Sequence, residues 1–453
     1  MLTYLNQLLK VQVPKRTAVF LKQVITSGFI HAFSANFVSY LVAFCGSILY
    51  ARLLGKTDFG IYAFSYNIIS FFLLVNGFGA ASGILQFVSR ACDDGEQQAY
   101  LRLSFTLGII FNAILSILIL IYALIIPQPI ANARNILIAM AFFPIGRLYL
   151  DIFQSYLRAT SQHQLLAKFA IYNNLILLIA NVIGIYIYGL IGFVVSTYLS
   201  YLIIIMISTF VYKLPNVFSV MLRCVQQSPS IVNEERKNDV EFNLGRGKVC
   251  EFIGYSLYAT IGNAFAQLIF ILDILLLGFI IKDAATVAIY KVATIIPFAL
   301  NFIPGVVSAF FYPAFARNAN DLGYIRDLQR KLQRGMLIFS VPVSIVLIVI
   351  AKPLILLIFG IEYQNSILPF QILAFGFWII STFRIINGNI LASLGHAKFA
   401  MWINVFIMLI NIALTYILIS YFGIIGAAVS VVIIYILAGV TATQLVRSAL
   451  TAK

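Results

Sequence analysis

The sequence predicts an all-α membrane protein of about twelve transmembrane helices arranged as two related six-helix bundles. Three observations carry this. Of 453 residues, 62% are apolar and only 10% charged, far too little charge to cover a water-soluble surface of that length. About 20 apolar residues cross a bilayer, and twelve apolar runs of that order fill the chain. The last six runs also echo the first six. Gly189, Gly192 and Ser196 recur at the same offsets as Gly423, Gly426 and Ser430, and Ala167-Lys168-Phe169-Ala170 recurs as Ala397-Lys398-Phe399-Ala400.

Residues 1–26 mix Leu5, Leu8 and Leu9 with Lys10, Lys15, Arg16 and Lys22. They carry no short apolar core ended by a small-residue cleavage site, and are expected to form an interfacial segment on the membrane surface. The first bundle, 27–212, holds spans at 27–51, 60–83, 103–126, 135–157, 168–188 and 190–212. A polar stretch, 213–251, contains Pro215, Ser228-Pro229-Ser230 and the charge run Glu234–Asp239 and reads as a linker. The second bundle, 252–446, holds spans at 252–281, 285–312, 335–359, 366–391, 399–421 and 424–446. A short tail, 447–453, follows. Pro144-Ile145-Gly146, Pro297, Pro304-Gly305 and Pro342 fall inside spans, where proline bends a helix and frees backbone groups. Span 8 carries two such breaks flanking Asn301 and is a candidate moving element.

The net charge of +15 is an orientation signal rather than a nucleic-acid footprint. Of the 30 Lys and Arg, only Arg52, Lys56, Arg134, Lys282 and Lys352 fall in segments on the side opposite the N-terminus, and three more lie inside spans. The remaining 22 share the N-terminal side, which the positive-inside rule makes cytoplasmic, with both termini and the linker.

Five ionisable side chains lie well inside spans: Arg147 and Asp151 in span 4, Asp273 in span 7, Lys291 in span 8 and Arg384 in span 10. Each costs about 2.5–3.5 kcal/mol at a helix centre, so they must face the bundle interior or a wet cavity. Arg147 and Asp151, four apart, can pair on one helix face. Lys291 can snorkel to the nearer interface or pair with Asp273, which lies at a similar depth. Arg384 has no acid within a turn and can cap backbone carbonyls. Three cations against two carboxylates leave a positive surplus, which suits an anionic cargo such as a phosphate or pyrophosphate. Arg147, Lys291 and Arg384 are therefore the candidate substrate-binding residues. Asp151 and Asp273 are candidate sites for a coupling ion, H⁺ or Na⁺. In-span amides such as Asn76, Asn112 and Asn301, with tyrosines such as Tyr66 and Tyr290, suit sugar hydroxyls and CH faces. They equally suit ordinary interhelical bonding.

No catalytic residue, cofactor or metal is expected. The cysteines at 45, 92, 224 and 250 have no metal-ligand spacing, and His31, His163 and His396 lie at helix edges or in loops. The loops opposite the termini are too short to house the chemistry of a membrane-embedded glycan enzyme. Gly245-Arg246-Gly247-Lys248 lacks phosphate-loop spacing.

Ala51-Arg52-Leu53-Leu54-Gly55-Lys56-Thr57-Asp58-Phe59-Gly60-Ile61-Tyr62 resembles the first-loop signature of the polysaccharide-synthesis export family. Leu391–Lys398 resembles that family's segment after span 10, and Tyr312–Arg317 its segment after span 8. That family belongs to the multidrug/oligosaccharidyl-lipid/polysaccharide (MOP) exporter superfamily, with the O-antigen flippases. The resemblance implies a V-shaped pair of bundles in the bacterial cytoplasmic membrane. It implies a flippase that carries a polyprenyl-pyrophosphate-linked oligosaccharide from the inner to the outer leaflet by alternating access. Its products would be O-antigen, lipopolysaccharide, capsule or exopolysaccharide, with a polymerase and assembly proteins as partners. A multidrug or ion antiporter on the same fold is the alternative. The net cationic interior disfavours it, because carriers of organic cations need acidic cavities.

Overall fold

The computed structural model describes residues 29–91, 93–211, 244–318, 321–393 and 397–451. The interfacial segment 1–26, most of the linker 213–251, Cys92, Cys224 and His396 lie outside them. Every regular element among the described residues is helical: α1 (Phe29–Leu73), α2 (Ala80–Phe87), α3 (Asp94–Ile125), α4 (Ala133–Met140), α5 (Phe143–Ala159), α6 (His163–Val211), α7 (Arg246–Leu268), α8 (Leu272–Ile281), α9 (Ala284–Leu300), α10 (Phe302–Arg317), α11 (Leu322–Ile358), α12 (Ile367–Ile379), α13 (Ile386–Ser393) and α14 (Ala397–Thr451).

By length and composition, seven stretches of helix among the described residues are apolar and long enough to cross a membrane, or eight if α4 and α5, bent by 47°, count as one. Three of these stretches, in α1, α6 and α14, are two legs each. They reverse at Gly55, Gly189 and Gly423, whose φ values of 71°, 59° and 57° suit a residue without Cβ. Helix α7 continues through a break at 269–271 into α8 as a further leg. Followed leg by leg, the described helices make the twelve expected crossings. The largest boundary differences are on the N-terminal side of the membrane. Span 9 starts at Leu322 rather than 335, span 3 at Asp94 rather than 103, span 7 at Arg246 rather than 252, and α14 runs on to Thr451, so helix extends beyond the apolar run.

The repeat is visible in the packing. Around the Gly189 reversal, Ser196 donates to Asn181 Oδ1 at 2.8 Å. Around the Gly423 reversal, Thr415 donates to Ser430 at 3.1 Å, and both pairs are 15 residues apart. In each hairpin the second glycine abuts the facing leg's backbone. A Cβ on Gly192 would strike the Gly184 carbonyl, and one on Gly426 the Leu418 carbonyl.

We call the face where α1 starts and α14 ends proximal, and the face of the three glycine reversals distal. At the distal face the halves share one core, which runs from Phe59, Leu137 and Phe193 to Val287, Ile355 and Phe370. At the proximal face the cores are separate. One joins α2, α3, α5 and α6 and takes in Phe252 of α7; the other joins α10, α11, α13 and α14. The halves are thus welded distally; proximally each has its own core, and α7 of the second half packs on the first through Phe252, Ser256 and Thr260 and pairs Lys248 with Glu96.

Candidate functional site

Irregular helix segments at mid-depth place the in-span polar groups. In the first half, α1 ends at Leu73 and the chain passes through a short tight helix, Asn76–Gly79, before α2. Gly77 and Phe78 take φ of 57° and 53° there, which turns backbone N–H groups out of the helical ladder. Span 4 breaks between α4 and α5, with Pro144 in the first turn of α5. Fully buried Asn112 of α3 joins the two breaks. Its Oδ1 accepts from Gly77 N–H at 2.8 Å, and its Nδ2 donates to Asn76 Oδ1 at 2.6 Å and to the Pro144 carbonyl at 2.7 Å. Asn76 Nδ2 then donates to Asp151 at 2.9 Å. Arg147, one turn back on α5, pairs with Asp151 at 3.1 Å. The Arg147 side chain stays 47% exposed while lying close to Tyr66 and Tyr201. It therefore sits half-open among residues of spans 2, 4 and 6.

The second half is built differently. Span 10 leaves α-geometry at Ile380–Ile385, a π-helical segment between α12 and α13, and Arg384 sits in it. Such segments widen the helix and re-aim side chains, frequently at functional sites. The Arg384 guanidinium lies over the Phe270 ring, 5.5 Å from its centroid, and Phe270 is in the break between α7 and α8. Tyr435 of α14 lies within electrostatic reach of both Arg384 and Asp273. It is buried, yet its hydroxyl has no hydrogen-bond partner. Asp273 is 2% exposed and accepts from Tyr290 Oη at 2.7 Å and from Ile274 N–H at 2.8 Å. Lys291, half-buried on α9, is within electrostatic reach of Asp273. Among the described residues, neither Lys291 nor Arg384 makes an ion pair.

The structure thus brings Arg147 and Asp151 together as a pair, and gathers Asp273, Lys291 and Arg384 in the other half around Tyr290 and Tyr435. Asp273 takes its hydrogen bond from fully buried Tyr290 of α9, while Lys291, the next residue, stays within electrostatic reach of it. Arg384 rests on an aromatic face rather than on carbonyls. Arg147 and Arg384 each belong to their own half. Each faces a tyrosine of its own half's sixth span: Tyr201 and Tyr435 both fall nine residues beyond the second glycine of the repeat, Gly192 and Gly426. That shared offset is the sequence signal that marks these two tyrosines. Asn76 and Asn112 were noted only as in-span amides, since the backbone groups they satisfy are freed by breaks that become visible only in three dimensions.

The distal seam completes the picture. Gly60 abuts the backbone of Ala284, and Gly278 the ring of Phe64. Asp283 caps α9, accepting from Thr286 N–H at 2.8 Å and Ala285 N–H at 3.4 Å. The Thr286 hydrogen bonds, with Lys56 of the other half nearby, hold its carboxyl below the usual carboxylate range. Among the described residues no group of His, Cys, Asp and Glu could hold a metal ion.

Taken together, this is a multi-pass membrane protein with the fold of the MOP transporters. An inward-facing multidrug-resistance transporter of the MATE family, of the MOP superfamily, matches it with a TM-score of 0.70 at 14% identity, over 93% of this chain and 98% of that one. The lipid II flippase MurJ in an inward closed conformation matches with a TM-score of 0.68 at 16% identity, over 92% and 87%. An uncharacterized membrane protein of Methanocaldococcus jannaschii is 23% identical over 420 residues, 88% of this chain and 79% of its own length. The chain belongs to the polysaccharide biosynthesis protein family, whose match covers residues 49–368.

Proposed function

We propose that this protein is a flippase that moves a polyprenyl-pyrophosphate-linked oligosaccharide from the inner to the outer leaflet of the bacterial cytoplasmic membrane, for O-antigen, capsule or exopolysaccharide synthesis. The observation that carries the reading is the cationic surplus at mid-depth: Arg147, Lys291 and Arg384 against Asp151 and Asp273, in a family of polysaccharide biosynthesis proteins. A low-dielectric cleft with net positive charge attracts a pyrophosphate strongly. The positive-inside count makes the proximal face cytoplasmic. Separate proximal cores then let a head group enter from the inner leaflet while its prenyl tail stays in lipid. The welded distal face blocks exit until the halves rock. Asp273 is the stronger candidate for ion coupling. It is the more buried carboxylate, and a proton or Na⁺ arriving there competes with a hydroxyl and a backbone N–H rather than with a guanidinium.

The test is reconstitution into liposomes with a lipid-linked oligosaccharide, with flipping read as protection of the glycan from an external glycosidase. The expected result is protein-dependent flipping that an ion gradient accelerates and Asp273→Asn uncouples. Absence of flipping, together with efflux of cationic dyes by cells carrying the protein, would overturn the proposal in favour of a drug antiporter.

A further inference from the structure

The two halves share a repeat but have divided its polar equipment unequally. In the first half the charge of Arg147 is matched within the protein, its Nε lying against Asp151. Asp151 takes the Arg147 guanidinium and the Asn76 amide, and Asn112 spends its carbonyl and both N–H groups on Gly77, Asn76 and Pro144. In the second half Arg384 has only an aromatic face beneath it. The Tyr435 hydroxyl beside it is buried with no partner. An orphaned buried hydroxyl is costly and is explained when a ligand atom arrives to accept its proton. Irregular segments of two helices, the break at 269–271 and the π-helical Ile380–Ile385, meet at this point through Phe270 and Arg384.

From this asymmetry we infer that the second half alone holds the anionic group of the cargo. Arg384 and the Tyr435 hydroxyl form the phosphate site and Lys291 lies alongside, whereas Arg147 is a positioning residue that keeps the broken helices of the first half together. The inference rests on the flippase reading for the identity of the anion. The guanidinium offers two parallel N–H donors to phosphate oxygens, the tyrosine adds an O–H donor, and Lys291 adds a mobile point charge. The first half is left with a neutral, amide- and tyrosine-lined wall for the sugars.

The experiment is binding by the detergent-solubilised full chain of two probes, farnesyl pyrophosphate and inorganic pyrophosphate, followed calorimetrically. Arg384→Ala is expected to weaken farnesyl pyrophosphate binding by at least ~10-fold, with Arg384→Lys intermediate and Tyr435→Phe losing about 3–10-fold. Arg147→Ala is expected to change binding less than about 3-fold while lowering the melting temperature. Inorganic pyrophosphate should compete in the wild type; failure to compete means the prenyl tail is recognised instead, and overturns the assignment. Tyr435→Phe is nearly isosteric, so unchanged affinity in that folded variant also overturns it. If Arg147→Ala loses as much affinity as Arg384→Ala, the anion is shared between the halves: the assignment falls and the flippase reading stands. If the wild type binds neither probe, both fall.

Discussion

Tyr363 and Ala51 lie 312 residues apart in sequence and are joined by a hydrogen bond of 3.0 Å from the tyrosine hydroxyl to the alanine carbonyl. The next residue, Arg52, reaches the other way and donates to the Leu357 and Ile358 carbonyls. These are last-turn carbonyls of α11, a natural seat for a cation. The first-loop signature thus cross-links the two halves at the distal face, beyond shaping its own turn.

Removing this cross-link should loosen the distal seal. Tyr363→Phe is expected to cost about 0.5–1.5 kcal/mol, and Arg52→Ala on the order of 1–2 kcal/mol given its exposure. The readout is a single cysteine at Ala284, in a chain otherwise free of cysteine, titrated with an impermeant thiol reagent from the distal side. Faster labelling in both variants is expected; unchanged labelling would show that the shared apolar core holds the seam by itself.

Gly60→Ala should be worse than its size suggests. The new methyl meets the Ala284 backbone, which cannot swing aside as a side chain can. Overpacking of this kind costs about 1–3 kcal/mol and acts only on the sealed conformation. Flipping should fall while expression holds. Wild-type flipping would mean that the halves part at this point without penalty.

Asp283 gives a pH signature. Its folded pKa lies below the unfolded value of about 3.9, so its contribution is present at neutral pH and is lost as pH falls through the folded value. Asp283→Asn retains a good cap without the charge, whereas Asp283→Ala should cost about 1 kcal/mol. Melting temperatures of wild type and Asp283→Asn should converge below about pH 4. A gap that persists there would point to shape, not charge.

Orientation is testable with the chain's own thiols. Cys250 is free and exposed near the start of α7, on the face assigned to the cytoplasm. It should resist an impermeant maleimide in intact cells and react after permeabilisation, as should Cys224. Labelling of Cys250 in intact cells reverses the assigned topology.

The architecture was legible because apolar runs of bilayer length admit few alternatives. The repeat was legible at Gly192/Gly426 and Ser196/Ser430 because backbone-to-backbone contact and a buried hydroxyl leave little latitude. The salt bridge of Arg147 with Asp151 was legible too, since four residues of helix bring them together. Pairings between halves were not. Nothing near Arg52 in sequence indicates that its acceptors lie 305 and 306 residues on. The role of Asn112 was hidden for another reason: one of its partners is a backbone N–H released where a helix fails, and composition carries no trace of that. The Tyr435 hydroxyl looked like one more aromatic in an apolar span until its want of a partner could be seen.

The tight hairpins of α6 and α14 set the mechanics of any motion. With Gly192 against Gly184 and Gly426 against Leu418, paired legs cannot slide past one another near their tips, so each hairpin tilts as a stiff lever pivoting distally. A leg of about 25 residues is ~37 Å long, so a tilt of about 10° at the pivot displaces its far end by ~6 Å. That is about the breadth of a sugar ring. Small rotations at the seam are therefore geared up into openings of useful width at the opposite face.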